Sequence, residues 1–434
     1  MSAPALPLAE KSAVPLWLQD GNKRILVQLA AFAGAFAALV SRRPEVIYNP
    51  QFWAEDGKYW YADAYHLGWK CLLIPLDGYL NDFSRLVGLF TLLFPFAMVP
   101  LVMNLIALTV EVLPVTVFLS SRFDRIAMKT RLAACVLYVA LPNSYETHGI
   151  LTNLQWRLAL LSCLILLGER PATVGWKLFD ALVLISLSFA GPFGILVMPI
   201  ALLMRWLGTR DGSNLHLIAL LPGALVQTGL ILFSHSRPAP PNGATLARFV
   251  GIVGGQIFCA ITLGMKTILL WHVVGNRGLL FRVEVVAMIV GLGVIAYAVR
   301  YGPLELRLFV MFAATVLTLA LWSPLVDPSS QQPQWEILQL PGIGNRYYFF
   351  PGLAFLVCLF WIIGAPSPWR KGMRGLAYAI LALLLIGIYS DWNYPRFKDF
   401  HFQQYAAQFE RMGPGETIRI PLNPTGWSME LKKK

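Results

Sequence analysis

The sequence predicts an all-α polytopic membrane protein, and three observations carry that expectation. The chain is 57% hydrophobic and only 13% charged, against about 25% charged in ordinary soluble domains. Apolar stretches recur along most of its 434 residues. Those stretches are apolar on every side rather than alternating with a period of two, which separates spanning helices from barrel strands. Within a bilayer these are the two ways to satisfy every backbone hydrogen bond.

A crossing takes about 20 apolar residues. The first run, Ile25–Val40, follows Lys23 and Arg24 and has no small-residue cleavage site behind it. It reads as a retained span with its N-terminus inside. Residues 42–84 form a long external loop rich in aromatic and charged residues. The stretch from Leu86 to Ser121 is too long for one helix and contains Pro95 and Pro100. It divides into an interfacial helix and a span over about 100–120, returning to a basic loop at 121–131. Residues 132–142 and 154–167 are short for a crossing and flank the polar turn Pro142–His148. They read as tilted or partial spans lining a wet cavity.

Residues 178–206 carry Gly191-Pro192 in their middle, and the apolar segment 249–270 carries Gln256 and Lys266. Either 178–206 is a hairpin and 249–270 is re-entrant, or each crosses once. Further spans fall at 214–234, 283–299, 307–323, 347–364 and 375–390. Both solutions give about eleven crossings, so residues 1–390 form the membrane domain. Residues 391–434 form a small external segment, whose last alternation of apolar and polar residues predicts a short strand or hairpin.

The net charge of +12 does not indicate nucleic acid. Arg122, Arg125, Lys129 and Arg131 cluster between apolar runs, as do Arg370, Lys371 and Arg374, the pattern of short cytoplasmic loops. None of the five cysteines stands in a metal-ligand or CxxC spacing. Four read as small hydrophobes and Cys71 as a lone loop thiol. No DxD motif, metal-ligand set, nucleotide-binding glycine loop or serine nucleophile motif occurs, which disfavours nucleotide hydrolysis and soluble sugar-nucleotide chemistry.

With this topology the unusual polar residues fall on one side. Glu55 and Asp56 are the sharpest pair: a partly desolvated carboxylate near a second acid can take a proton from an acceptor hydroxyl. Gly57 is expected to make a tight turn presenting Asp56 to a cavity. Arg346, Arg157 and Arg85, with Tyr347, stand at external ends where a guanidinium can grip a phosphate. Trp53, Tyr59, Tyr79, His148, Asn153 and Gln155 complete the set as substrate contacts, although rings at a membrane interface also serve as anchors.

The motifs Trp53-Ala-Glu-Asp-Gly57, Pro75-Leu-Asp-Gly-Tyr-Leu80 with Ser84-Arg85, and Arg346-Tyr347 resemble those of the GT-C class of membrane glycosyltransferases, in particular bacterial members with an AEDG-type first external loop. The resemblance implies a polyprenyl-phosphate-linked sugar as donor and a glycan or lipid-linked acceptor. It also implies metal-independent, cofactor-free transfer on the outer side of a bacterial inner membrane. The first-loop acid would be the general base, mapping onto Asp56 with Glu55 beside it, and the late-loop arginine would hold the lipid phosphate, mapping onto Arg346. Arg157 has no counterpart in that pattern. The tail of residues 391–434 is smaller than the soluble domain many members carry. A transporter or flippase for a lipid-linked glycan, or an oligosaccharide ligase, would also need a cationic external site.

Overall fold

The computed structural model describes residues 21–207, 214–233, 240–326, 331–364 and 371–434. The chain ahead of residue 21 and Arg370 of the basic cluster lie outside the described residues. The protein is mostly helical, and eight of its described helices are long and apolar enough to cross a membrane. Their flanks are uncovered: Ile25, Leu26, Phe233, Val286, Ile289 and Leu385 are all exposed. Water would not tolerate so much contiguous apolar surface, so the helices make a multi-pass membrane protein.

The first helix, α1 (Gly21–Arg42), spans the bundle and has a polar tie at each end. Arg24 pairs with Asp124 at 3.1 Å, whereas Arg42 donates to the carbonyls of Val139, Leu141 and Asp391. The long loop that follows is folded. It contains α2 (Glu45–Tyr48), a π-helix at Asp56–Tyr61, α3 (Ala62–Leu67) and a 3-10 turn at Gly68–Leu73. The interfacial helix is α4 (Asp82–Thr91). Its Ser84, Arg85, Val87, Gly88 and Thr91 are buried, while Leu86 and Phe90 remain exposed. Gly88 lets this helix cross the π-helix closely, since a β-carbon there would stand 2.2 Å from the Trp60 carbonyl oxygen.

Helix α5 (Val99–Leu119) packs against α1 and carries the buried Asn104 and Glu111. The next helices are short: α6 (Met128–Val139) and α7 (Leu154–Leu167) have 12 and 14 residues. At 1.5 Å per residue they reach roughly 18–21 Å, less than a hydrocarbon core of about 30 Å. Helices α8 (Val174–Ser188) and α9 (Phe193–Trp206) are separate and pack on each other, and both pack on α10 (Asn214–Phe233). The turn between them meets the first loop, with Gly191 N donating to Leu80 O and Asp82 N to Phe189 O. Gln227 of α10 clamps Leu80 through both its backbone groups. Residues 178–206 therefore form a hairpin with its tip at the first-loop end.

The apolar segment 246–263 consists of α11 (Leu246–Val250), a π-helix at Gly251–Cys259 and α12 (Ala260–Leu263). Its length and hydropathy qualify it as a span, but both of its ends meet loops of one end of the bundle. Ahead of it, Pro241 O accepts from Gln334 N, and Arg248 pairs with Glu336. Behind it, α13 (Met265–Val274) starts under Asp391, whose carboxylate accepts from Met265 N and Lys266 N. Both ends of this continuous helix therefore lie beside the same end of the bundle.

Helix α14 (Arg277–Tyr301) lies along the second π-helix, and α15 (Leu304–Trp322) leads to a loop containing α16 (Gln334–Leu338). Helices α17 (Phe349–Gly364) and α18 (Lys371–Asp391) complete the bundle. The tail folds into the amphipathic α19 (Phe402–Arg411) and an antiparallel hairpin of β1 (Thr417–Leu422) and β2 (Trp427–Lys432), paired from Thr417–Lys432 to Leu422–Trp427. All five cysteines are free and buried, Cys71 of the loop included.

Candidate functional site

The tail hairpin seats the acidic motif. Ala54 N donates to Asn423 O, and Asn423 N donates to Phe52 O at 3.1 Å, so residues 52–54 extend the edge of the tail. The chain then turns into the π-helix at Asp56. Gly57 does not serve a turn, contrary to the sequence expectation. It sits inside the helix, where a β-carbon would come within 3.0–3.2 Å of Leu422 and Met429 side-chain atoms. Its small size admits the hairpin rather than aiming Asp56 outward.

Asp56 itself is 2% exposed. One carboxylate oxygen accepts from Leu151 N at 3.1 Å, and the other accepts from Thr152 N at 2.8 Å and Thr152 Oγ1 at 2.7 Å. Burial pushes its carboxyl up to about 7, against the pull of those donors. With both oxygens occupied, Asp56 anchors the loop before α7 to the first loop. Glu55 is only half-buried. Burial raises its carboxyl above the usual range, with Arg346 and Thr152 drawing it down and Asp77 adding to the rise. Of the two acids, Glu55 is the one with an open side.

Arg346 stands on a 3-10 turn, Asn345–Tyr348, that leads into α17. Its Nη1 donates to Glu146 Oε2 at 3.1 Å, and its Nη2 donates to Leu325 O at 2.9 Å and Tyr347 Oη at 3.3 Å. The other oxygen of Glu146 accepts from Gly344 N, and Glu146 N donates to Asn345 Oδ1. A guanidinium has five N–H groups, so Nε–H and one Nη1–H are not used by these contacts. The loop 140–153 is thus stitched on one flank to the acid pair through Leu151 and Thr152, and on the other to Arg346 through Glu146. That loop joins the acid pair to Arg346 across most of the sequence.

Several other expected site residues are committed elsewhere. Arg157 is 2% exposed; its Nη2 pairs with Glu111 of α5 at 2.7 Å and donates to Thr147 Oγ1 at 3.0 Å, and its Nε donates to Thr147 O. His148 is completely buried, with Nδ1 3.1 Å from the same Glu111 carboxylate. These three make an internal ionic cluster; Arg346 also has a carboxylate partner, and what sets it apart from Arg157 is exposure, 22% of the side chain against 3%. Arg85 is 1% exposed, bonds Asp63 at 2.8 Å and lies under the Trp60 ring, so it ties α4 to α3.

Asn153 donates to Glu146 O at 2.7 Å and is placed beside the Arg346 contact. Gln155 and Tyr79 meet at Gly191, where a β-carbon would stand 2.0 Å from Gln155 Oε1 and 3.5 Å from the Tyr79 ring. Trp53 packs on Phe397 of the tail at 5.6 Å, and Tyr59 lies beside Trp60 at 6.3 Å. The residues that organise the site were not singled out from sequence. Thr152 carried no signal. Glu111, a lone acid inside an apolar run, carried one, because an ionisable residue within a span implies a partner.

Compared with protein-family models and with curated proteins, the chain matches none. The functional reading therefore rests on the geometry above and on the sequence motifs.

Proposed function

We propose that the protein is an inverting glycosyltransferase that moves a sugar from a polyprenyl-phosphate donor to a glycan or lipid-linked acceptor. The observation that supports this reading is the loop 140–153, bonded to Asp56 beside the half-buried Glu55 through Leu151 and Thr152 and to the half-buried Arg346 through Glu146, while Asp56 itself is saturated. In this reading Glu55 is the base and Asp56 positions it. Glu55 takes the proton of an acceptor hydroxyl as that oxygen attacks the anomeric carbon. The bond from the anomeric carbon to the donor phosphate oxygen breaks, and its electron pair leaves with the phosphate. Arg346, held on Glu146 and Tyr347, offers its free N–H groups to the developing charge, a preorganised stabilisation that requires no metal. A single displacement inverts the anomeric centre.

In this reading the chain crosses about eleven times, with residues 178–206 as a hairpin, so that the first loop, the loop before α7, the Arg346 turn and the tail share one side. The basic cluster at Arg122–Arg131 supports taking that side as the non-cytoplasmic one, and the sequence resemblance supports a bacterial inner membrane. The donor's isoprenoid would stay in lipid while its phosphate reached Arg346. The test is transfer from a synthetic polyprenyl-phosphate sugar by the purified protein, with Glu55→Gln as the diagnostic variant.

One observation favours a transporter or flippase instead. Glu284, about two turns inside α14, is 6% exposed and lies against Gly254 and Gly255 with no hydrogen bond or ion pair among the described residues. Intramembrane acids of this kind often mark transport paths. Movement of a lipid-linked glycan across proteoliposomes without any sugar transfer would establish that reading.

A further inference from the structure

Glu284 is buried without a partner among the described residues, and its surroundings are specific. The π-helix at Gly251–Cys259 runs along α14 and begins with Gly251, Gly254 and Gly255. A β-carbon at Gly254 would stand 2.1 Å from the Glu284 carbonyl oxygen, so the two backbones touch there. One at Gly255 would stand 2.8 Å from Glu284 Oε1, and one at Gly251 would stand 3.9 Å from Oε2. The glutamate side chain therefore lies in a trough of glycines, with its far oxygen towards Gly251. A π-turn in a helix often marks a functional position, and an ionisable group within a span calls for a partner.

The end of the trough is lined by oxygen. The space that a side chain at position 251 would fill is bordered by Glu284 Oε2 and, 3.3 Å from the β-position, by Gln339 Oε1. Gln339 closes the C-terminus of α16, and its backbone oxygen accepts from Gln256 Nε2 at 2.9 Å. That bond fixes which way the Gln256 amide points. Its Oε1 is buried with no partner among the described residues, so it is an acceptor without a donor. Arg248, one turn ahead of the glycines, is committed to Glu336 and to the Gly243 carbonyl. A carboxylate and two amide oxygens thus gather about Gly251 and Gln339, and the neighbouring cation is spent elsewhere.

We propose that Glu284, Gln339 and Gln256 form a binding site for a monovalent alkali cation. Carboxylate and amide oxygens are the ligands that hard cations take. One positive charge neutralises the site, whereas a divalent ion would leave a net charge in an apolar interior, which is costly. A proton would satisfy the carboxylate and leave the Gln256 oxygen unmet. The cation would join the π-helix, α14 and the loop ahead of α17 at one point. The site rests on neither functional reading above, since a cation held here requires neither sugar transfer nor transport.

The test is thermal unfolding of the full chain in detergent at mildly alkaline pH, in sodium chloride against choline chloride of equal ionic strength. The wild type is expected to show a saturable rise of its unfolding midpoint with sodium. Gly251→Ala puts a methyl group into the cation's space without removing a ligand, so it should fold and lose the sodium response. Glu284→Gln should also lose it. Gln339→Ala, at a half-buried residue, should raise the sodium concentration for half the effect by about tenfold or more. Gly293→Ala, on α14 with nothing within 4 Å of its β-position, should respond as the wild type does. Equal midpoints in sodium and choline for the wild type, a full response in Gly251→Ala or Glu284→Gln, or a larger rise with calcium than with sodium at equal concentration would each overturn the proposal.

Discussion

Replacing each acid of the first loop by its amide separates the base from its anchor. In Asp56→Asn the amide has one oxygen where the carboxylate had two. The less costly rotamer keeps that oxygen on Thr152, where two donors converge, and turns the NH₂ towards Leu151 N–H. One hydrogen bond to a charged group is lost and a buried N–H is left without a partner, together about 2–4 kcal/mol. Glu55→Gln alters a half-buried side chain with an open side, so stability should stay within about 0.5 kcal/mol of the wild type. Loss of a general base should slow transfer by about 10²–10⁴-fold. The assay pairs thermal unfolding of the purified protein, followed by tryptophan fluorescence, with transfer of labelled sugar from a polyprenyl-phosphate donor. Asp56→Asn should unfold earlier; Glu55→Gln should unfold normally and transfer poorly. A stable, inactive Asp56→Asn beside an active Glu55→Gln would refute the assignment and make Asp56 the base.

Removing one member of the internal ionic cluster, as in Glu111→Gln or Arg157→Met, strands a buried charge and should cost about 3–5 kcal/mol, read as a lower unfolding midpoint. The double variant Glu111→Leu/Arg157→Met should recover part of that loss; if Arg157→Lys instead abolishes donor binding at full stability, Arg157 holds the phosphate after all. Gly88→Ala should unfold the junction of α4 with the first loop, because its β-carbon meets backbone at 2.2 Å, whereas Gly57→Ala meets flexible side-chain ends and should cost only about 1 kcal/mol. Limited proteolysis of the first loop and tail distinguishes the two outcomes. Because Glu55 must be ionised to accept a proton and burial holds its carboxyl above the usual 4.5, transfer should rise with pH and be lost as pH falls through a midpoint above that value. A rate independent of pH over roughly 4 to 8 would exclude a base of this kind.

The parts of the fold that sequence disclosed are those set by bulk apolarity. The long runs at α1, α5, α10, α14, α15, α17 and α18 are continuous and needed only counting. The α8–α9 hairpin stayed ambiguous because its helices have 15 and 14 residues, near the lower limit of a crossing. What decides it is the pairing of Leu80 and Asp82 with the turn at 189–192, a contact between distant segments that no local pattern encodes. The same holds at the site. Glu55, Asp56 and Arg346 stood out as charges beside apolar runs, but their division of labour depends on Thr152 and Glu146. Arg157 and Arg85 looked available for a phosphate because sequence shows a charge and not the carboxylate that neutralises it.

The seating of the tail bears on biosynthesis. The bond from Lys432 N to His66 joins residues 366 positions apart, and Leu422 covers Gly57 over a similar interval. While the ribosome works through the intervening helices, the acidic π-helix must wait with that flank bare. The hairpin that covers it is made only after α18. A chain clipped before residue 417 would keep the helices that precede it yet lack the hairpin side chains that pack on Gly57.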